Sequence, residues 1–335
     1  MFRNDIVDRR TCGIGLAAGV LAGCASRGGP QVLVNLAGSG AGPPPEAGEA
    51  VATGADQALR MTAPVRINGQ GPFDFVVDTG ANRTVVSTEL AQALALPPGP
   101  PANVHGVAGV EPAETAQVSV FQVGGATSRN LTAPCLSRTR MGADGLIGVD
   151  VLSGRRVLMD FRRGELLVGV SRPSERTGFQ MRREATGVSA GLGTRIAVPA
   201  RYRFGQLIII GADVARRKVT AFMDSGSQST VGNSAMGRVV AADRLAPRAA
   251  RYTVPVLSAT GQVASGELGI TPLLQIGGLT ITGLTTVFAD LHVFSIWDLQ
   301  DRPSLLIGID VMRQFNAIEL DYPGREVGFY LKAGR

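Results

Sequence analysis

Lysine, histidine, cysteine and aromatic residues are all scarce in this chain of 335 residues. The only lysines are Lys218 and Lys332, so the net charge of +6 rests on arginines. These are scattered, with short pairs at Arg155-Arg156 and Arg216-Arg217. No long basic stripe with interleaved aromatics occurs, and this argues against a nucleic-acid partner. The only histidines are His105 and His292, too few to support a Ser/His or Cys/His nucleophilic centre. Of the three cysteines, Cys12 and Cys24 fall in an N-terminal stretch with leader character. Cys135 is left alone, so no intrachain disulfide is expected in the mature chain. A lone cysteine of this kind reads as a small buried hydrophobe rather than a catalytic thiol.

Glycine, by contrast, is abundant at 44 residues, and 44% of the chain is hydrophobic. Short runs rich in Val, Ile and Thr alternate with Gly-bearing turns, a pattern that predicts an all-β chain with a sizeable core. Its length is enough for two domains of ordinary size. The N-terminal stretch "DRRTCGIGLAAGVLAGCASRG" has an Arg pair, a short and mildly apolar run, then small residues before Cys24. That order is a secretory signal's, and the run is too short for an ordinary membrane span. It resembles a bacterial lipoprotein signal, in which Cys24 would be the lipidated first residue; the Arg pair also resembles a twin-arginine export signal. An ordinary cleaved signal with an incidental Cys is the alternative. The resemblance implies an exported protein of the cell envelope, held at a membrane by lipid and facing the periplasm. Ala25 slightly favours the outer membrane. Residues 25–60, with "GSGAGPPPEAGEA", read as a flexible tether.

The chain repeats itself. "FDFVVDTGANRTVV" (73–86) is echoed by "KVTAFMDSGSQSTVG" (218–232), and "DGLIGVDVLSGRRVLMDF" (144–161) by "SLLIGIDVMRQFNAIELDY" (304–322). The blocks come in the same order, which predicts two homologous lobes at 61–171 and 195–335 joined by a connector at 172–194. A carboxylate at the end of an apolar strand is costly unless bonded or used. Asp78 therefore finds its counterpart in Asp224. Asp150 and Asp310 follow the two Leu-Ile-Gly blocks and are expected to cap a short helix or anchor a loop. Asp160 and Asp321 read as turn residues.

Val76-Val77-Asp78-Thr79-Gly80-Ala81 with Leu146-Ile147-Gly148, and Phe222-Met223-Asp224-Ser225-Gly226-Ser227 with Leu306-Ile307-Gly308, resemble the retropepsin/pepsin family of aspartic peptidases. The resemblance covers most of the chain after residue 60. It implies two β-barrel lobes with a cleft between them. It also implies hydrolysis of an extended polypeptide without metal or cofactor, with apolar side chains beside the scissile bond. Asp78 and Asp224 would form the catalytic dyad, two carboxylates sharing one proton. Gly80 and Gly226 would leave their N–H groups free to bond the carboxylates. Thr79 and Ser225 would lock the two loops together. Ala81 and Ser227 differ, and a Ser227 hydroxyl donating to Asp224 would leave Asp224 the ionised partner. Hairpins with tips at Gly106, Val107 and Gly109, and at Thr260 and Gly261, are candidate flaps over the substrate. His105 is expected on a surface turn, while His292 and Trp297 suit either core or pocket wall. With both Asp residues in one chain, dimerisation is not required. A peptide-binding envelope protein with little or no turnover remains the alternative, since fold alone does not guarantee activity.

Overall fold

Apolar β-branched runs become strands through most of the residues that the computed structural model describes, namely 31–34, 49–56, 58–170, 191–203, 205–246 and 252–332. The expected leader with Cys24, and most of the expected connector, lie outside them. Both halves use the same topology. In the first, Met61–Ile67 pairs with Gln70–Val77, then in order come Gly145–Ile147, Val85–Ser87, Ala126–Leu136, Val110–Val123 and Pro98–His105. In the second, Gln206–Val214 pairs with Arg217–Met223, followed by Ser304–Ile307, Val231–Gly232, Leu279–Phe288, Val263–Ile276 and Tyr252–Leu257. Each run of strands curls back on itself, because Met61–Ile67 also pairs with Val110–Val123 and Gln206–Val214 with Val263–Ile276. The molecule is thus all-β and two-lobed.

The Leu-Ile-Gly blocks have a structural reason to be apolar. Gly145–Ile147 is inserted parallel to Gln70–Val77 and antiparallel to Val85–Ser87, with Leu146 beside Val76 and Ile147 beside Val77. Leu306 and Ile307 lie likewise beside Phe222 and Met223. A strand with neighbours on both edges and core on its faces reads as a continuous hydrophobic run. The two repeated motifs are therefore neighbours in space, although far apart in sequence.

The last strands of each half leave their lobe and build a shared antiparallel sheet. Its order is Arg195–Arg203, Glu326–Tyr330, Ala317–Asp321, Arg155–Asp160, Glu165–Val170 and Glu49–Ala52. The register at its centre obeys a two-fold relation. Leu158 faces Glu319, Val157 faces Leu320 and Met159 faces Ile318, while Arg156 faces Asp321 and Asp160 faces Ala317. Exchanging the halves by the sequence repeat maps each of these pairs onto another in the set, and Leu158–Glu319 onto itself.

One expected boundary is corrected here. The tether placed over 25–60 is part of the fold at its C-terminal end: Glu49–Ala52 pairs with Glu165–Val170, and Gly54–Ala55 with Met61–Ile67. Gln31–Val34 pairs with Leu279–Phe288. Sheet edges carry unpaired N–H and C=O groups, and these short segments satisfy them whatever the surrounding Pro and Gly content suggests.

Asp160 and Asp321 do make turns. Asp160 Oδ1 accepts from the N–H groups of Arg162 and Arg163, and Asp321 Oδ1 from that of Gly324. Asp150 and Asp310 anchor loops and do not cap: the N-cap positions are Gly148 and Gly308. Asp150 Oδ1 instead accepts from the N–H and hydroxyl of Thr84, and Asp310 accepts the same pair from Thr230. The threonine hydroxyls in turn accept from the Gly148 and Gly308 N–H groups.

Candidate active site

Each Asp-hydroxyl-Gly triplet sits where a buried strand ends and the chain turns into the interface between lobes. Asp78 N–H donates to the Ile147 carbonyl and Asp224 N–H to the Ile307 carbonyl, so the Leu-Ile-Gly strand fixes each Asp from below. Thr79 and Ser225 are fully buried and cross between lobes. Thr79 Oγ1 donates to the Met223 carbonyl at 2.9 Å and accepts from Ser225 N–H at 3.0 Å. Ser225 Oγ donates to the Val77 carbonyl at 2.6 Å and accepts from Thr79 N–H at 3.1 Å. Each hydroxyl thus grips the residue just before the opposite Asp.

Asp78 Oδ1 accepts from the Gly80 and Ala81 N–H groups, and Asp224 Oδ1 from those of Gly226 and Ser227. One oxygen of each carboxylate is thereby held, and the two carboxylates meet. A Cβ at Gly80 would lie 2.4 Å from Asp224 Oδ1, and one at Gly226 would lie 2.3 Å from Asp78 Cγ. Neither glycine has positive φ. They are required for close approach, not for an unusual backbone.

Burial pushes both carboxyls up from the ordinary Asp range. For Asp78 the positive charge of Arg60 works the other way, together with the bonds from Ala81 and Gly80. For Asp224 the negative charge of Asp78 adds to burial, and the group is pushed up to about 7. The pair titrates as a unit, and its second proton comes off with difficulty because the first charge is already in place. The bond expected to make Asp224 the ionised partner is absent. The Ser227 hydroxyl points away and donates to the Ser229 carbonyl at 2.8 Å, not to Asp224. The alternative acceptor lies within the same turn, so the side chain closes its own loop.

The dyad lies at the floor of a cleft of about 1250 Å³ between the lobes. Both expected hairpins overhang it. In the first, Gly106 N–H closes the tip on the Gly109 carbonyl; in the second, Ser258 N–H closes on Gln262 and Gly261 N–H on Ser258. Their tips meet. Gln262 Nε2 donates to the Val110 carbonyl, and a Cβ at Gly106 would strike the hydroxyls of Thr260 and Ser258. Gly261 has φ +87°, and a Cβ there would lie 2.8 Å from Cζ of the Arg140 guanidinium, which pairs with Glu111 of the first hairpin. The exchange is reciprocal. Val107 of the first tip packs on the C-terminal lobe's apolar wall, with Leu291, Val293 and Trp297. Ala259 of the second packs on the N-terminal lobe's wall, with Leu136, Met141 and Leu146.

His105, expected on a surface turn, is the exposed last residue of the strand Pro98–His105 and meets His292, left unassigned from sequence, at this mouth: His105 Nδ1 lies 3.0 Å from His292 Nε2, with the rings stacked. Trp297 is buried in the C-terminal wall, edge-on to Phe222. Cys135 is half-buried with its thiol pushed up, first by burial and then by Glu114, which leaves it a poor nucleophile. Among the described residues no group of three or more His, Cys, Asp or Glu is arranged to hold a metal ion.

Sequence reading missed Arg60, Asp56 and Gln206. Arg60 closes the span expected as tether. Its guanidinium is nearly buried in the cleft, paired with Asp56, and donates to the carbonyls of Met141 and Gly226. Extending the internal repeat upstream would have flagged it, because Arg60 and Gln206 stand at equal distances before Asp78 and Asp224.

Residues 63–151 match the model of a family described as Aspartyl protease. The matched span contains the first triplet and the first Leu-Ile-Gly block, and it supports a protease-like function. No curated protein matches the chain.

Proposed function

We propose that this chain is a single-chain aspartic endopeptidase whose dyad is Asp78 and Asp224. The observation that carries the reading is the approach of two buried triplets so close that a single methyl group on either glycine would collide with the opposite carboxylate. Two such groups cannot both ionise readily, so between its two titrations the pair holds one proton. In the reaction, the ionised carboxylate takes a proton from a water as the water oxygen attacks the peptide carbonyl carbon. The protonated carboxyl hydrogen-bonds the carbonyl oxygen as it gains charge. A proton then passes to the departing nitrogen as the C–N bond breaks, and the dyad returns to its one-proton state. The substrate is an extended polypeptide lying between the dyad and the two overhanging hairpins, with Gly106, Val107, Gly109, Thr260 and Gly261 over it. The two apolar walls favour apolar side chains on either side of the scissile bond. Both carboxylates come from one chain, so catalysis needs no second copy. The N-terminal pattern around Cys24 further supports export and lipid attachment at the periplasmic face of an envelope membrane.

The test is digestion of a diverse peptide mixture by protein lacking residues 1–24, from acid to neutral pH. Asp78→Asn and Asp224→Asn serve as controls, with near-ultraviolet circular dichroism to establish that all three are folded. Cleavage lost in both variants supports the dyad. Cleavage that survives both substitutions sinks it, and a folded wild type that cleaves nothing at any pH favours a peptide-binding role.

A further inference from the structure

Arg60 and Gln206 occupy the same place in the two lobes. Arg60 stands eighteen residues ahead of Asp78, and Gln206 eighteen ahead of Asp224. Each reaches across the interface to the glycine carbonyl of the opposite triplet. Arg60 Nη1 donates to the Gly226 carbonyl at 3.4 Å, and Gln206 Nε2 to the Gly80 carbonyl at 3.1 Å. Gly226 is the residue against which the Asp78 carboxylate lies, and Gly80 the one against which Asp224 lies. The two bonds are images of each other, but one donor is a cation and the other a neutral amide. We propose that Arg60 is a positioning residue that makes Asp78 the carrier of the dyad's single negative charge, and hence the base, leaving Asp224 as the acid. The inference rests on the peptidase reading for its chemistry, but not for the charge assignment itself.

The surroundings leave few rivals. Arg60 is held by Asp56, which contacts its Nε and Nη2 and tempers its charge without removing it. Tyr322 is buried near Asp78 and stays a neutral phenol: burial, then the charges of Tyr202 and Asp78, hold its proton. Thr79 and Ser225 make matching bonds across the interface, and Ser227, which stands where the first half has Ala81, is turned towards Ser229. Among the described residues Arg60 is the cation that acts on the two carboxylates; at Asp78 its charge is the first influence after burial, while at Asp224 it follows burial, the Asp78 charge and the Gly226 and Ser227 N–H bonds. An opposite charge within a few ångströms moves a carboxyl by about one to three pH units, and the Asp56 counter-charge places Arg60 at the low end.

The experiment compares Arg60→Gln, which makes the two lobes alike, with Arg60→Lys, which keeps the charge. Two readouts are used: the pH profile of kcat/KM, and ¹³C NMR titration of the aspartate carboxyls, assigned with Asp78→Asn and Asp224→Asn. In Arg60→Gln the acid limb and the first dyad titration should both rise by about one pH unit, while Arg60→Lys should leave both near wild type. Gln206→Arg, the second variant, should lower the Asp224 titration and draw the alkaline limb down. If Arg60→Gln unfolds, Gln206→Arg decides alone: an unmoved Asp224 titration in that variant would overturn the proposal. So would an Arg60→Gln protein that loses thermal stability but titrates as wild type does. A titration that moves in a protein that cleaves no peptide would uphold the charge assignment and end the peptidase reading.

Discussion

Thr84 in the N-terminal lobe and Thr230 in the C-terminal lobe make the same three bonds, to an Asp carboxylate twice and to a glycine N–H once. Other equivalent places hold unlike side chains: Arg60 against Gln206, Ala81 against Ser227, Leu158 against Glu319. The preserved set consists of bonds that fix backbone around the two Asp residues. The divergent set sits one step further out, where a side chain changes the field or the packing without moving the triplet. Geometry is shared between lobes, and electrostatic character is assigned to each separately.

The comparison can be broken first at the glycines. Gly80→Ala and Gly226→Ala place a Cβ within 2.4 Å of a carboxylate atom, so each should lower kcat/KM by about 10²-fold or more, the cost of misplacing the reacting groups. Peptide turnover measured for both would show whether the lobes are equally intolerant; a large inequality would contradict the two-fold description. Next is the centre of the shared sheet. Glu319 is fully buried and accepts from Arg195 Nη2 and Tyr330 Oη. Burial opposes the Arg195 charge, but Glu319 and Glu326 outweigh it and raise its proton affinity. Glu319→Gln should cost about 3 kcal/mol in urea unfolding, because the guanidinium loses its buried partner. Replacing its image, Leu158→Ala, should cost a comparable amount for a different reason, the cavity left behind.

Ser225→Ala removes a hydroxyl that bonds the Val77 carbonyl and Thr79 N–H, both buried. It should cost about 2 kcal/mol in the same assay, and Thr79→Val should match it. The dyad itself makes a pH-dependent contribution. A carboxyl whose folded pKa lies above its unfolded value binds a proton that the unfolded chain has already lost. Stability therefore falls as pH rises through the window from 3.8 to about 7. Melting temperatures over that range should drop for wild type relative to Asp224→Asn; parallel curves would refute the burial of this group. The smallest effect belongs to Ser227→Ala, about 1 kcal/mol or less, with no movement of the pH–rate profile, since the hydroxyl serves only the Ser229 carbonyl.

The all-β class, the duplication and the paired Asp residues were legible because they rest on short-range patterns that the chain prints twice. The hairpin tips were legible too, as glycines in a turn announce themselves locally. Arg60 was not. It follows a Pro/Gly-rich stretch, and its meaning depends on Gly226, which lies across the lobe interface. The direction of the Ser227 hydroxyl was equally hidden, because a serine offers several nearby acceptors and composition does not choose among them. Nor could spacing reveal that each hairpin packs on the other lobe's wall, a contact between segments far apart along the chain.

The Leu158–Glu319 pair at the centre of the shared sheet marks a place where a true homodimer would have to put the same residue against itself. Whatever residue stood there would face its own copy, so an acid could face only an acid and a leucine only a leucine. Covalent fusion lifts that restriction. A single substitution here alters one half and leaves the other intact, so an acid, a base or a selective wall can be tried on one side while its counterpart keeps the molecule working.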